Sequence, residues 1–185
     1  HTNMGININL RGMKTFLTWC YDMNYIDRVP KIVMFLREQQ KPKPFTESQI
    51  NSILTLDSLT DFFIEIFKLY LELGIRLGEG VKGQIEGNFL IVASKDSKTK
   101  KEREIFLNKE QKKVLEDLHN DRDKHLEKGY KIKTFENKIS KRFTDALKEL
   151  NIYEENVTSF HSLRHTFAVM RYYSTRDIYQ VCKEL

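Results

Sequence analysis

The sequence predicts a mainly α fold of the α+β class, helical with one small antiparallel sheet. Apolar residues recur at helical spacing through most of the chain, the mark of amphipathic helices. Only residues 88–107 alternate like paired strands around a polar turn. No apolar run is long enough to span a bilayer and no signal peptide is visible, so a cytoplasmic chain without a membrane partner is expected. The 185 residues suffice for one good-sized domain and part of another. At 40% hydrophobic and 31% charged residues, the chain is expected to fold rather than remain disordered. A net charge of +5 suits a polyanionic partner, although enzymes of neutral substrates can be equally basic. Cys20 and Cys182 stand far apart and outside any metal-ligand spacing, which predicts reduced thiols and no metal site.

From Ile6 to Leu36 the pattern reads as one or two amphipathic helices. Ile8, Leu10, Met13, Phe16, Leu17 and Cys20 form a stripe, Asp27-Arg28-Val29-Pro30 interrupts it, and Ile32, Phe35 and Leu36 resume it. So short a piece buries too little surface to stand alone. It is either the end of a separate helical domain, over residues 1–36, or a helical hairpin packed on the main domain. Lys41-Pro42-Lys43-Pro44 cannot continue a helix, because each proline lacks an N–H and restricts its predecessor. Residues 37–45 are therefore read as a linker and 46–185 as the main domain.

Thr46-Glu47-Ser48-Gln49 carries a capping-box signature, with Ile50, Ile53 and Leu54 opening a helical stripe. A second helix over residues 60–73 is apolar around most of its circumference, so it should lie centrally and be largely buried. Gly74 ends it. Arg76 follows immediately on that stiff support, and Glu79 is placed to orient it by a charge-assisted hydrogen bond. Gly80, Gly83 and Gly87 predict a loose segment before the strand at 88–93. The polar turn at 94–101 carries Lys95, Lys98, Lys100 and Lys101, and a returning strand at 102–107 carries Arg103.

Residues 109–127 read as a charged helix with Val114, Leu115 and Leu118 on one face. Residues 133–150 read as another, whose outer face offers Lys138, Lys141 and Arg142 for sequence-independent phosphate contacts. Thr158 or Ser159 then caps a helix whose first turn carries His161 and Arg164. Being three apart, these two share a face. A helix N-terminus favours anions through its unpartnered amides, and arginine adds a planar fork that fits phosphate oxygens. The plainer reading is a surface histidine and arginine on an ordinary amphipathic helix. Ser174 or Thr175 caps a last helix through Ile178, Val181 and Leu185.

Taken together, HSLRHTFA at residues 161–168 and Gly74-Ile75-Arg76-Leu77-Gly78-Glu79 resemble the hallmark motifs of the tyrosine recombinases, the phage-integrase family. In the second motif Gly78 stands where that family usually has serine. Ser97-Lys98-Thr99-Lys100-Lys101-Glu102-Arg103 resembles the family's lysine hairpin. The resemblance implies the family's catalytic-domain fold over residues 46–185, preceded by the end of a helical core-binding domain. It implies a catalytic set of Arg76, Lys98, His161 and Arg164, with Lys95 and Lys100 competing for the place of Lys98. Lys100, Lys101, Arg103, Lys138 and Lys141 are the implied DNA contacts.

The expected activity is site-specific recombination or integration of a mobile element by cutting and rejoining double-stranded DNA through a 3′-phosphotyrosyl intermediate, with no metal and no other cofactor. In the family the tyrosine nucleophile lies further along than Tyr172, Tyr173 or Tyr179. The chain is therefore expected to stop short of it, to be inactive alone and to be monomeric, whereas the full-length protein would act as a tetramer on paired sites. Two other readings remain: a type IB topoisomerase with a similar Arg-Lys-Arg-His cluster, and a non-catalytic DNA-binding regulator on the same scaffold.

Overall fold

A computed structural model describes residues 3–36, 43–93 and 102–185. The chain divides into two compact units, His1–Lys41 and Pro42–Leu185.

In the first unit, α1 (Asn3–Asp22) is followed by a turn at residues 23–28 and a run without regular secondary structure at 29–36. The second helix that the pattern allowed does not form. Instead the buried Asn7 side chain donates to the Phe35 carbonyl at 2.9 Å and accepts from the Phe35 N–H at 2.8 Å. One amide thus satisfies both backbone groups of Phe35, which ties the return segment to α1.

The second unit begins before the expected boundary at 46. Lys43 pairs with Glu154, and the Phe45 N–H donates to Thr166 Oγ1 at 2.9 Å while the Phe45 ring is buried against Phe143. The helices α2 (Glu47–Leu54), α3 (Asp61–Leu73) and α4 (Leu77–Lys82) lead into a sheet of β1 (Gln84–Glu86), β2 (Phe89–Val92) and β3 (Arg103–Phe106). Then come α5 (Lys109–Glu127), α6 (Ile132–Glu149), α7 (His161–Thr175) and α8 (Ile178–Glu184). Strand order is β1-β2-β3, antiparallel throughout, with Glu86 opposite Phe89 and Val92 opposite Arg103. β1 was hidden in the sequence, because three residues between Gly83 and Gly87 show no period of their own.

The expected centrality of α3 holds: it packs against α2, α5 and α7. Its Phe67 and Tyr70 meet Phe143 of α6 and Phe160 edge-to-face, with centroids 4.9 Å apart for both Phe67–Phe143 and Tyr70–Phe160. That geometry brings the positive ring edge of one aromatic to the negative face of the next. Among the described residues no helix is long and apolar enough to cross a membrane.

The capping box of α2 forms as read, between Thr46 and Gln49. The two C-terminal helices start differently. Thr158 ties a turn back to Glu154, and the Ser159 N–H donates to Ser162 Oγ, so neither Thr158 nor Ser159 caps α7. The Ser174 and Thr175 hydroxyls donate to the Arg171 carbonyl inside α7, and Asp177 caps α8 by accepting from the Tyr179 and Gln180 N–H groups. A carboxylate can accept both amides, and the two hydroxyls are already committed within the helix.

Gly74 closes α3 at φ +60°, and a Cβ there would lie 2.2 Å from the Phe167 ring of α7. Both the backbone angle and the ring require glycine. Gly74→Ala is therefore expected to lower the unfolding free energy by about 2–4 kcal/mol, from left-handed strain and overpacking together. Urea unfolding measures it, and a change below about 0.5 kcal/mol would show that α3 and α7 separate at little cost.

Candidate anion site built on a buried carboxylate

The site grows out of the end of α3. After Gly74 and the buried Ile75, Arg76 takes the N-cap position of α4. Glu79, in the first turn of α4, folds its carboxylate back over that end. Its Oε2 accepts the Arg76 N–H at 2.8 Å and its Oε1 lies 2.5 Å from Arg76 Nη1. An acid in the first turn also faces the positive end of the helix dipole. Glu79 is only 2% exposed, so its charge needs partners at close range.

Two further guanidinium groups supply them. Arg103, the first residue of β3, donates through Nη2 to Glu79 Oε2 at 2.9 Å and through Nη1 to the Glu184 carbonyl at 3.3 Å. Arg164, in the first turn of α7, lies 3.5 Å from Glu79 Oε2 through Nη1. It donates to the Gly74 carbonyl at 2.7 Å and to the main-chain oxygen of Leu185. One carboxylate thus gathers three cations, leaving an excess of two positive charges. Burial, then the neighbouring Arg76, pulls the Arg164 guanidinium down to about 10, against the opposing effect of Glu79. Burial likewise lowers Arg103. At about 10, Arg164 still carries its charge at neutral pH. The side chains are 31% exposed for Arg76, 21% for Arg103 and 9% for Arg164, so an incoming anion meets Arg76 first.

His161 opens α7, its exposed ring standing edge-on to His165 with centroids 4.7 Å apart. Burial, then Arg164, lowers the pKa of His165, which keeps that ring neutral near pH 7. Other residues of the HSLRHTFA string build rather than bind: Leu163 is buried, Phe167 covers Gly74, and Thr166 receives Phe45.

The structure brings Arg76 and Arg164 together with Glu79 and puts His161 one helical turn from Arg164. Lys98, its rivals Lys95 and Lys100, and Lys101 lie outside the described residues. Arg103, expected on DNA, has both terminal nitrogens turned inward. Lys138 pairs with Asp121 at 3.1 Å, across α5 and α6, rather than with the arginine cluster, and Lys141 stands exposed on α6. Arg142 donates to the Ser58 carbonyl, securing the loop between α2 and α3.

The expected looseness does not hold for α4. Glu79, Gly80 and Val81 are all buried, and a Cβ on Gly80 would lie 2.2 Å from the Tyr70 hydroxyl. The glycine lets α4 press on α3, where Tyr70 donates to the Leu77 carbonyl at 2.9 Å. Burial drives the Tyr70 pKa upward, so it remains a donor. The far end of α4 is held by α5: His119 Nε2 lies 2.8 Å from the Gly80 carbonyl, and Arg122 Nη1 donates to the Val81 carbonyl at 2.7 Å. Both satisfy carbonyls that a helix C-terminus leaves without partners. Single charges in a long charged helix gave no sequence signal of this.

Burial lowers the His119 pKa below the ordinary 6.5, against the opposing Gly80 bond. A base with a lowered folded pKa binds fewer protons folded than unfolded, so stability falls as pH drops from about 6.5 through the folded value. Thermal unfolding should therefore shift to lower temperature between roughly pH 7 and pH 5, and His119→Gln should flatten part of that slope. An unchanged slope in the variant would remove His119 from the pH dependence.

The profile of the Phage integrase family matches residues 43–183. Among solved structures, a lambda integrase dimer bound to a COC′ core site superposes with a TM-score of 0.73 at 16% identity, covering 99% of this chain and 56% of that one. A lambda integrase tetramer bound to a Holliday junction gives 0.68 at 15%, covering 97% and 57%. The Tn1549 transposon integrase in complex with circular intermediate DNA gives 0.64 at 15%, covering 99% and 71%. This chain thus spans little more than half of the lambda integrase chains, and at these identities the likeness is one of fold. No curated protein sequence matches it. With the family profile matching most of its length, the chain belongs to the phage integrase family, the tyrosine recombinases.

Proposed function

We propose that this chain carries the catalytic arginines of a site-specific DNA recombinase that serves a mobile element, cutting and rejoining duplex DNA without metal through a 3′-phosphotyrosyl intermediate. The supporting observation is the convergence of Arg76 and Arg164 on the buried Glu79. Two guanidinium groups preset around one point can stabilise charge on the non-bridging oxygens of a phosphodiester without reorganising. A tyrosine oxygen attacks phosphorus, the bond from phosphorus to the 5′ oxygen breaks, and the phosphotyrosyl bond conserves the energy for rejoining. His161 hydrogen-bonds the phosphate and takes part in moving the tyrosine proton. Lys98 protonates the departing 5′ oxygen, a task suited to an ammonium group near other cations. Lys141 and Lys138 on α6 contribute phosphate contacts that hold the duplex without reading its sequence. The full gene product acts as a tetramer on paired sites, as in the lambda integrase tetramer bound to a Holliday junction.

The test uses the full gene product and a nicked suicide duplex, with the covalent protein–DNA complex counted on a denaturing gel. Arg76→Ala and Arg164→Ala should each reduce that complex by about 100-fold or more, the usual cost of one preorganised donor. Wild-type yields from either variant would end the proposal. Relaxed plasmid without any recombined product would reassign the chemistry to a topoisomerase.

A further inference from the structure

Arg103 was expected to lie on DNA, and its surroundings point elsewhere. The residue stands at the start of β3, opposite Val92 of β2, so its backbone is fixed by the sheet. Its two terminal nitrogens diverge: Nη2 to the carboxylate of Glu79 in α4, Nη1 to the Glu184 carbonyl at the end of α8. α8 is braced independently by the two-pronged pair of Arg171 with Glu184, at 2.6 Å through each nitrogen. One planar fork thereby ties the sheet, α4 and α8 together at the carboxylate that also holds Arg76 and Arg164. Glu79 Oε2 takes the Arg76 N–H and Arg103 at full hydrogen-bond length, with Arg164 further off at 3.5 Å. Without Arg103, that carboxylate oxygen keeps only the Arg76 N–H at hydrogen-bond length, and nothing on the β3 side balances the pull of Arg164.

We propose that Arg103 is a positioning residue for strand cleavage, fixing the Glu79 carboxylate between Arg76 and Arg164 rather than contacting DNA itself. The proposal rests on the recombinase reading above. Lysine cannot replace it: an ammonium is a point donor, whereas the guanidinium spans two acceptors in a fixed geometry.

The experiment measures single-turnover formation of the covalent complex and duplex affinity separately, in the full gene product, for the wild type, Arg103→Lys and Arg103→Ala. Arg103→Lys should fold, bind duplex within about twofold of wild type, and cleave roughly 10- to 100-fold more slowly, the size of loss that a displaced catalytic group produces. Millimolar guanidinium should restore part of the rate to Arg103→Ala by occupying the vacated fork, a response that general destabilisation does not give. If Arg103→Ala does not fold, the rate of Arg103→Lys decides. Wild-type cleavage by Arg103→Lys would overturn the proposal. So would a loss confined to affinity, with the salt dependence reduced by about one phosphate contact, the signature of a lysine or arginine on DNA. Failure of the wild type to form any covalent complex would instead sink the recombinase reading, and with it the proposal that rests on it.

Discussion

The carboxylate of Glu79 is the contact on which the rest of the site depends. A charge that deeply buried is tolerable only with opposite charges and hydrogen bonds around it, and here three guanidinium groups and one backbone amide surround it. The dependence is mutual. Arg76, Arg103 and Arg164 come from α4, β3 and α7 and would repel one another without the acid between them. Their excess of two positive charges is the property that suits the centre to hold a phosphate.

The scaffold places that carboxylate through close backbone approach rather than through bulk. Gly80 lets α4 lie under Tyr70, and Gly74 lets Phe167 of α7 lie over the end of α3. The Gly74 carbonyl then becomes the acceptor that orients Arg164. The left-handed turn closing α3 therefore also aims the arginine of α7. Behind α4, His119 and Arg122 satisfy its last carbonyls, so six residues of helix keep their shape although too short to be stable alone.

Much of this was legible in the chain. The periodicity of α3, the glycine that ends it, the capping signature of α2 and the bounds of α5 all follow from local rules. Arg76, Glu79 and Arg164 were readable because motif and helical spacing agreed. What local rules missed was decided by distant partners. β1 needed β2 to become a strand, and Phe35 is tied to α1 by the Asn7 amide, a contact 28 residues away in the chain. Gly80 and Gly83, which read as slack, proved to be contact points, since a glycine spacing looks the same whether the chain is loose or closely packed. Arg103 read as one more cation in a basic hairpin. Only folding reveals the acid that turns it inward.

The most direct test of that dependence is the unfolding free energy of Glu79→Gln in urea. Glutamine keeps the size of the side chain and removes the charge, so three crowded guanidinium groups lose their common partner. A loss of about 3–5 kcal/mol is expected, the cost of breaking a buried ion pair from one side. A change within about 0.5 kcal/mol, the range of an ordinary surface substitution, would contradict the central role given to this carboxylate.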